Sequence, residues 1–220
     1  MKQEFWHERW AKSEIGFHLD IINPFLKRHW HALGAGSNDT IFVPLCGKSS
    51  DLLWLAERVK QVIGVEVSQK AIEDFFSENK LTPTIQQGEH FIKYRFENIT
   101  LLCGDFFQLT PTDIPDCHFV YDRASLIAFP PDMRKIYVTK LDDLFPGDSR
   151  RLLVSIEYPQ HEMNGPPHSV PTDEVHHHFS QQYDIQCLES VDILDKAQRF
   201  KDKGVTQMHE HVFLLEKIVS

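Results

Sequence analysis

"TIFVPLCGKSSDLLWLAERVKQVIGVEV", residues 40–67, decides the fold. Residues 40–45 form a β-branched and apolar run that suits a buried strand. "SDLLWLAERV" (50–59) then sets Leu52, Leu53, Leu55, Ala56 and Val59 at helical spacing, with Ser49 or Ser50 as the expected N-cap. "QVIGVEV" (61–67) returns to a strand. Between the first strand and the helix stand Gly47, Lys48 and Ser49, the letters that close a phosphate-binding P-loop. That loop needs another glycine five positions earlier, so that successive backbone N–H groups curl around phosphates, and the position holds Phe42. A nucleoside triphosphate is therefore excluded as the ligand of this turn.

The strand and helix alternation continues outward. "SQKAIEDFFSENK" (68–80) reads as a helix whose apolar face is Ala71, Ile72, Phe75 and Phe76. "FIKYRF" (91–96) and "ITLLCGD" (99–105) are separated only by Glu97 and Asn98, as in a tight hairpin. "CHFVYDR" (117–123) is a strand, "DMRKIYVTKLDDLF" (132–145) a helix opened by Pro130 and Pro131, and "RRLLVSIEY" (150–158) another strand. A helix near 173–180 precedes two long strands, "YDIQCLESVDIL" and "VTQMHEHVFLLEKI". Six or seven strands alternating with helices imply an α/β fold: a mostly parallel sheet covered on both faces, with an antiparallel edge at the C-terminal end. No repeat or Pro/Gly-rich linker divides the chain, so 1–220 is expected to be one domain. "YPQHEMNGPPHSVPTDE" (158–174) is the one long irregular insert, a length at which loops are often functional.

Composition narrows the function. A net charge of −9 disfavours nucleic acid, whose binding draws on clustered Lys and Arg. The four cysteines, Cys46, Cys103, Cys117 and Cys187, lack C-x-x-C spacing, and the first 16 residues carry charges where a signal peptide is apolar. A cytoplasmic protein with reduced thiols is expected, and no apolar stretch has the length of a membrane span. Thirteen histidines include no H-E-x-x-H, and His176, His177 and His178 point apart on a helix, so no metal is expected. Nothing marks an oligomer, and a monomer is the default.

In an open α/β sheet the ligand crevice lies beyond the carboxyl ends of the strands. Leu45 to Ser49, Glu66, and Asp105 to Phe107 end three strands. A carboxylate such as Glu66 can accept two hydrogen bonds from a ribose diol. A dinucleotide would need G-x-G-x-x-G after the first strand, but Gly34 and Gly36 precede that strand and the loop holds only Gly47. A ligand with ribose and no phosphate fits better. S-adenosylmethionine is such a ligand, and its amino-acid end could lie against the backbone of "PLCGK".

"FWHERW" with "IGFH", "VPLCGKSSDLLWLA", "GVEVSQKAIEDFF", "CGDFF", "YDRASLIAFPP" and "GPPHSV" together resemble the thiopurine S-methyltransferase family, over about residues 4–217, and closely follow its bacterial members. The resemblance implies a seven-stranded class I methyltransferase fold whose N-terminal segment, 1–35, forms a helical lid over the cofactor. It implies contacts to S-adenosylmethionine from Trp10, Leu45, Gly47, Glu66, Asp105, Phe106 and Arg123, with Asp105 and Phe106 near the adenine. Phe17, Pro167, Arg123 and Arg199 would line the acceptor pocket, Arg123 also stabilising a thiolate. His168 stands where an aromatic residue is expected in "GPPFSV". The implied reaction is methyl transfer to small aromatic or heterocyclic thiols, leaving S-adenosylhomocysteine. Bacterial members are also associated with methylating selenium and tellurium compounds. Trp6 and Trp10, at i and i+4, would share the inner face of the lid and offer cation–π attraction to the sulfonium. Two alternatives remain open: transfer to oxygen or nitrogen, with His18 or Asp20 as the proton acceptor, and a non-catalytic cofactor-binding module.

Overall fold

The computed structural model describes residues 3–16 and 18–218. The chain opens with α1 (Gln3–Ala11) and α2 (Pro24–Leu33), then β1 (Thr40–Val43), α3 (Asp51–Ala56), β2 (Gln61–Glu66) and α4 (Gln69–Glu78). Three strands follow, β3 (Thr84–Gln87), β4 (Ile92–Phe96) and β5 (Ile99–Cys103), and then β6 (Cys117–Arg123), α5 (Pro131–Leu144) and β7 (Arg150–Glu157). The chain closes with α6 (Thr172–Phe179), β8 (Tyr183–Asp192), α7 (Gln198–Lys201) and β9 (His209–Lys217).

One sheet runs β3-β4-β5-β2-β1-β6-β7-β9-β8. β1 pairs in parallel with β2 and β6, and β5 and β7 extend the parallel block. β9 and β8 form the expected antiparallel edge. The sheet has nine strands rather than seven, because the β3–β4 pair continues it beyond β5. "TIQQ" carries one apolar residue and all four of its residues are exposed, so β3 is specified by backbone pairing of Thr84–Gln87 with Arg95–Ile92 and leaves no periodic signal.

Alternation along the central strands explains the two layers of helices. Ile41 and Val43 face one side, where they join α2 (Phe25, Leu26, Trp30, Leu33), α3 (Leu52, Leu55) and α4 (Ile72, Phe75, Phe76). Phe42 faces the other, with α5 (Tyr137, Val138, Leu141) and α6 (Val175, Phe179). β1 is buried on both faces, hence its unbroken apolar run. The caps are local: Ser68 Oγ accepts the Ala71 N–H at 3.3 Å, and Asn23 Oδ1 accepts the Phe25 N–H at 2.8 Å. Before α3, Ser50 occupies the cap position without a side-chain bond, and Ser49 Oγ accepts the Asp51 N–H at 3.2 Å.

Within 1–35, α2 is built into the core, leaving α1 as the helix that borders the cavity described below. The irregular insert is tied down. Tyr158 Oη donates to Pro167 O at 2.6 Å, and the Ser169 N–H donates to Gln160 Oε1 at 2.9 Å. Tyr158 and Met163 pack with Phe200, Val205 and Met208 around α7, which brings a helix that the sequence does not announce up to the site. Among the described residues, no helix is long and apolar enough to cross a membrane.

Candidate active site

Strand order reverses between β1 and β6, the position at which open α/β sheets bind ligands. Two residues there, Leu45 after β1 and Ala124 after β6, have left-handed backbone conformations, with φ of 45° and 68°. For non-glycine residues this costs of order 1–3 kcal/mol each and is found where surrounding contacts over-determine it. Ser125 Oγ, donating to Pro44 O at 2.9 Å, links the two turns.

A cavity of about 630 Å³ opens on this end of the sheet. Leu45, Glu66, Asp105, Phe106, Pro167 and Arg199 border it, as do Trp6 and Trp10 from α1. A second cavity of about 40 Å³ adjoins it and is bordered by Gly47, Lys48, Arg123, Asp51, Tyr121 and His18. Trp10, Leu45 and Ala124 belong to both walls. The structure therefore brings the expected residues to one end of the sheet but divides them, with Gly47 and Arg123 in the smaller chamber. Phe17 lies outside the described residues.

Glu66 closes β2 with its carboxylate buried. Oε2 accepts the Gly47 N–H at 3.0 Å and Oε1 the Ser68 N–H at 2.8 Å, and the carboxylate's four lone pairs are not all taken up by these and the Val67 backbone. Burial pushes this carboxyl up to about 7, against the pull of the Ser68, Gly47 and Val67 backbone. Gly47 has φ 54°, and a Cβ added to it would stand 3.1 Å from Trp10 Cζ2. A side chain there would be strained by the backbone conformation and crowded by the indole seated against it.

Asp105 caps the short turn Phe106–Gln108, its Oδ1 accepting the Phe107 N–H at 2.9 Å. The Phe106 ring turns into the core, 5.0 Å from Tyr137 between ring centres. Beside it, Phe107 packs on Phe129 at 5.9 Å. Arg199 on α7 carries its guanidinium 4.6 Å above the Phe200 ring, and burial together with the Arg123 charge pulls its pKa down. Arg123 at the end of β6 and Arg199 on α7 border adjoining cavities, near enough for one charge to act on the other. Lys48, the P-loop-like lysine, pairs with Glu78 at 2.6 Å.

Two features carried no signal in the sequence. Asp51 is a buried structural acceptor, taking the Asn23 N–H at 2.7 Å and the Tyr121 hydroxyl at 3.0 Å. Ile127, Ala128, Phe129 and Met133, from the turn before α5 and its first residues, form an apolar wall of the larger cavity. Burial, then Lys48, pulls the His18 imidazole down, and its Nε2 lies 3.4 Å from Asp20. Among the described residues no three His, Cys, Asp or Glu side chains gather as a metal site.

The model of the thiopurine S-methyltransferase family matches residues 1–218. The chain belongs to the thiopurine S-methyltransferase family. It is 48% identical over 217 residues to the thiopurine S-methyltransferase of Pseudomonas paraeruginosa, covering 99% of this chain and 100% of that one. It is 42% identical over 217 residues to the enzyme of that name from Azotobacter vinelandii, covering 99% and 100%. Among solved structures, a SAM-dependent methyltransferase from Anabaena variabilis matches with a TM-score of 0.64 at 14% identity, over 98% of this chain and 95% of that one. The 1,6-didemethyltoxoflavin-N1-methyltransferase of Burkholderia thailandensis, solved with S-adenosylhomocysteine, matches at 0.62 with 12% identity, over 98% and 86%. These neighbours share the class I methyltransferase fold with this thiopurine S-methyltransferase family member, which is a methyltransferase enzyme.

Proposed function

We propose that this methyltransferase moves the methyl group of S-adenosylmethionine to the sulfur of a small aromatic or heterocyclic thiol, acting as a single chain. One observation carries the reading. A single cavity has a buried carboxylate with spare acceptor sites, Glu66, in its wall, and Arg199 and Pro167 border the same space.

The residues present fit the cofactor. Glu66 would accept the ribose hydroxyls, and Asp105 with the Phe106 backbone would border the adenine. Gly47, Arg123 and Trp10 would hold the amino-acid end. When bound, S-adenosylmethionine supplies an electrophilic methyl group on a sulfonium. Arg123 and Arg199 would lower the pKa of an entering thiol and hold it as the thiolate, so no strong general base is needed. Trp6 and Trp10, with α1 as the lid, would exclude water, which favours the cancellation of opposite charges on transfer. Pro167 and the Ile127–Phe129 wall would align the acceptor, and alignment of this kind contributes up to ~7–11 kcal/mol.

Transfer of labelled methyl to 6-mercaptopurine and thiophenol tests the reading, with the hydroxyl counterparts and selenite in parallel. Turnover on both thiols and none on the hydroxyl compounds is expected. Turnover on selenite as well would extend the reaction to selenium species, and the same assay with tellurite would decide tellurium. Transfer to the hydroxyl compounds instead would overturn the thiol reading and make His18 the base to test.

A further inference from the structure

His168 stands behind the acceptor side of the cavity. Its side chain is buried, and Nε2 has no hydrogen-bond partner among the described residues. The imidazole lies directly beneath Gly165: a Cβ on that glycine, which has φ 72°, would fall 2.5 Å from Nδ1. The His168 N–H donates to Ile127 O at 2.7 Å, joining the loop to the wall at Ile127. Pro166 and Pro167, the two residues between Gly165 and His168, border the cavity themselves. The far side of the loop is anchored by the Tyr158 bond to Pro167 O and the Gln160 bond to the Ser169 N–H.

We propose that His168 is a positioning residue for the acceptor: packed under Gly165 and joined to Ile127, it sets where Pro166 and Pro167 stand in the wall. The proposal rests on the reading that this side of the cavity receives the acceptor. A ring of this size fills the space under the glycine, and smaller side chains would let the proline wall sink. An apolar ring would hold it too, so the histidine adds a charge dependence to what is otherwise a packing role.

The surroundings give that dependence a sign. From α5, Arg134 and Asp132 face the imidazole; from α6, Glu174 is engaged by Arg134 and His178. The loop and the turn at Ile127 carry no charge between Met163 and Ser169 or between Leu126 and Phe129. Burial first, then Arg134, pull the imidazole down, with Asp132 opposing. The neutral ring is the packed one, and its contribution is lost as pH falls below the ordinary histidine range near 6.5. A second proton on the ring would put its charge near that of Arg134 in a buried site, and the loop would have to release the ring to water.

The test uses the full chain, wild type, His168→Phe and His168→Asn, at pH 7 and 5.5. Hydrogen exchange at the His168 and Ser169 amides, corrected for intrinsic rate, reports the loop without ligand. Calorimetry with methyl phenyl sulfide, a product-like thioether that does not titrate, reports the pocket. Protection should fall in wild type at pH 5.5, by up to about tenfold for one coupled proton, with thioether affinity falling in the same direction only as far as the packed loop is depopulated, and both should change by less than about twofold in His168→Phe. His168→Asn should show weaker protection at both pH values with no pH step. Equal pH responses in wild type and His168→Phe, or none in either, would overturn the proposal. Loop protection that behaves as expected while the thioether binds none of the proteins would support the loop assignment and remove the acceptor reading instead.

Discussion

The Gly47 N–H donates to Glu66 Oε2 at 3.0 Å, so the loop after β1 is held by the carboxylate that ends β2. Burial holds that carboxyl near 7, above the ordinary glutamate range. For a carboxylate raised in the folded state, stability is present below the unfolded pKa and lost as pH rises through the folded one. The ligand-free protein is therefore expected to lose on the order of 3 kcal/mol between pH 4.5 and 7 from this group. A cofactor whose hydroxyls donate to Glu66 favours the ionised form, so its affinity should rise from pH 6 to 7 and level off near 8. Calorimetry with S-adenosylhomocysteine across that range checks this. Glu66→Gln should lose the step and roughly 1.5–3 kcal/mol of binding, and an unchanged profile in that variant would remove Glu66 from the cofactor site.

Gly47→Ala tests the seat of Trp10. The backbone at φ 54° costs a non-glycine residue about 1–2 kcal/mol, and the new Cβ would crowd Trp10 Cζ2 at 3.1 Å. Cofactor affinity should fall with stability. In a Trp10→Ala background the steric part disappears, so the two substitutions should couple by about 0.5–3 kcal/mol in a double-mutant cycle of urea unfolding. Strict additivity would show that the indole and the loop are independent.

How much of this could be read beforehand follows from where the physics is local. β1, β2 and their helices are encoded by short apolar runs and helical spacing, and Ser68 as an N-cap needs only its neighbours. Glu66 was legible as the acid that ends β2 at the crevice, and the structure sets it in the cavity wall. β3 was invisible because a fully exposed edge strand has no hydrophobic period. The placement of Arg123 and Arg199 in adjoining chambers depends on how α7 folds back with Tyr158 and Met163, contacts that span about forty residues of chain. Gly47 was legible as a turn residue, while its role as the platform for Trp10 required the tertiary position of α1.

The two arginines should separate kinetically. Arg199 borders the larger cavity, and Arg199→Ala should raise the acceptor KM about tenfold or more with S-adenosylhomocysteine affinity within about twofold, the pattern of lost acceptor binding. Arg123 stands at the carboxyl end of β6 beside Leu45 and Gly47, and Arg123→Ala should lower kcat by about 10–100-fold, the loss of one charge-assisted contact. Initial-rate kinetics with thiophenol distinguishes the cases. Wild-type constants for Arg123→Ala would count against its assignment to the reacting centre.

Arg134 and Glu174 join α5 to α6 behind the acceptor wall. Arg134 is fully buried, its Nη1 contacts both Glu174 oxygens at 2.6 Å, and its Nε donates to Phe129 O at 2.9 Å. Burial alone would raise the Glu174 carboxyl, but the hydrogen bonds from His178 and Arg134 hold it below its ordinary value. The pair therefore stabilises the fold above about pH 4.5, and that contribution is lost as pH falls through the lowered value. Glu174→Ala would strand a guanidinium in the core and should cost about 3–5 kcal/mol in urea unfolding at pH 7. Replacing both residues with methionine removes the stranded charge and should recover most of that loss. Recovery of stability without recovery of acceptor KM would mean that the pair's bond to Phe129, and not the helix packing alone, keeps the wall of the cavity in place.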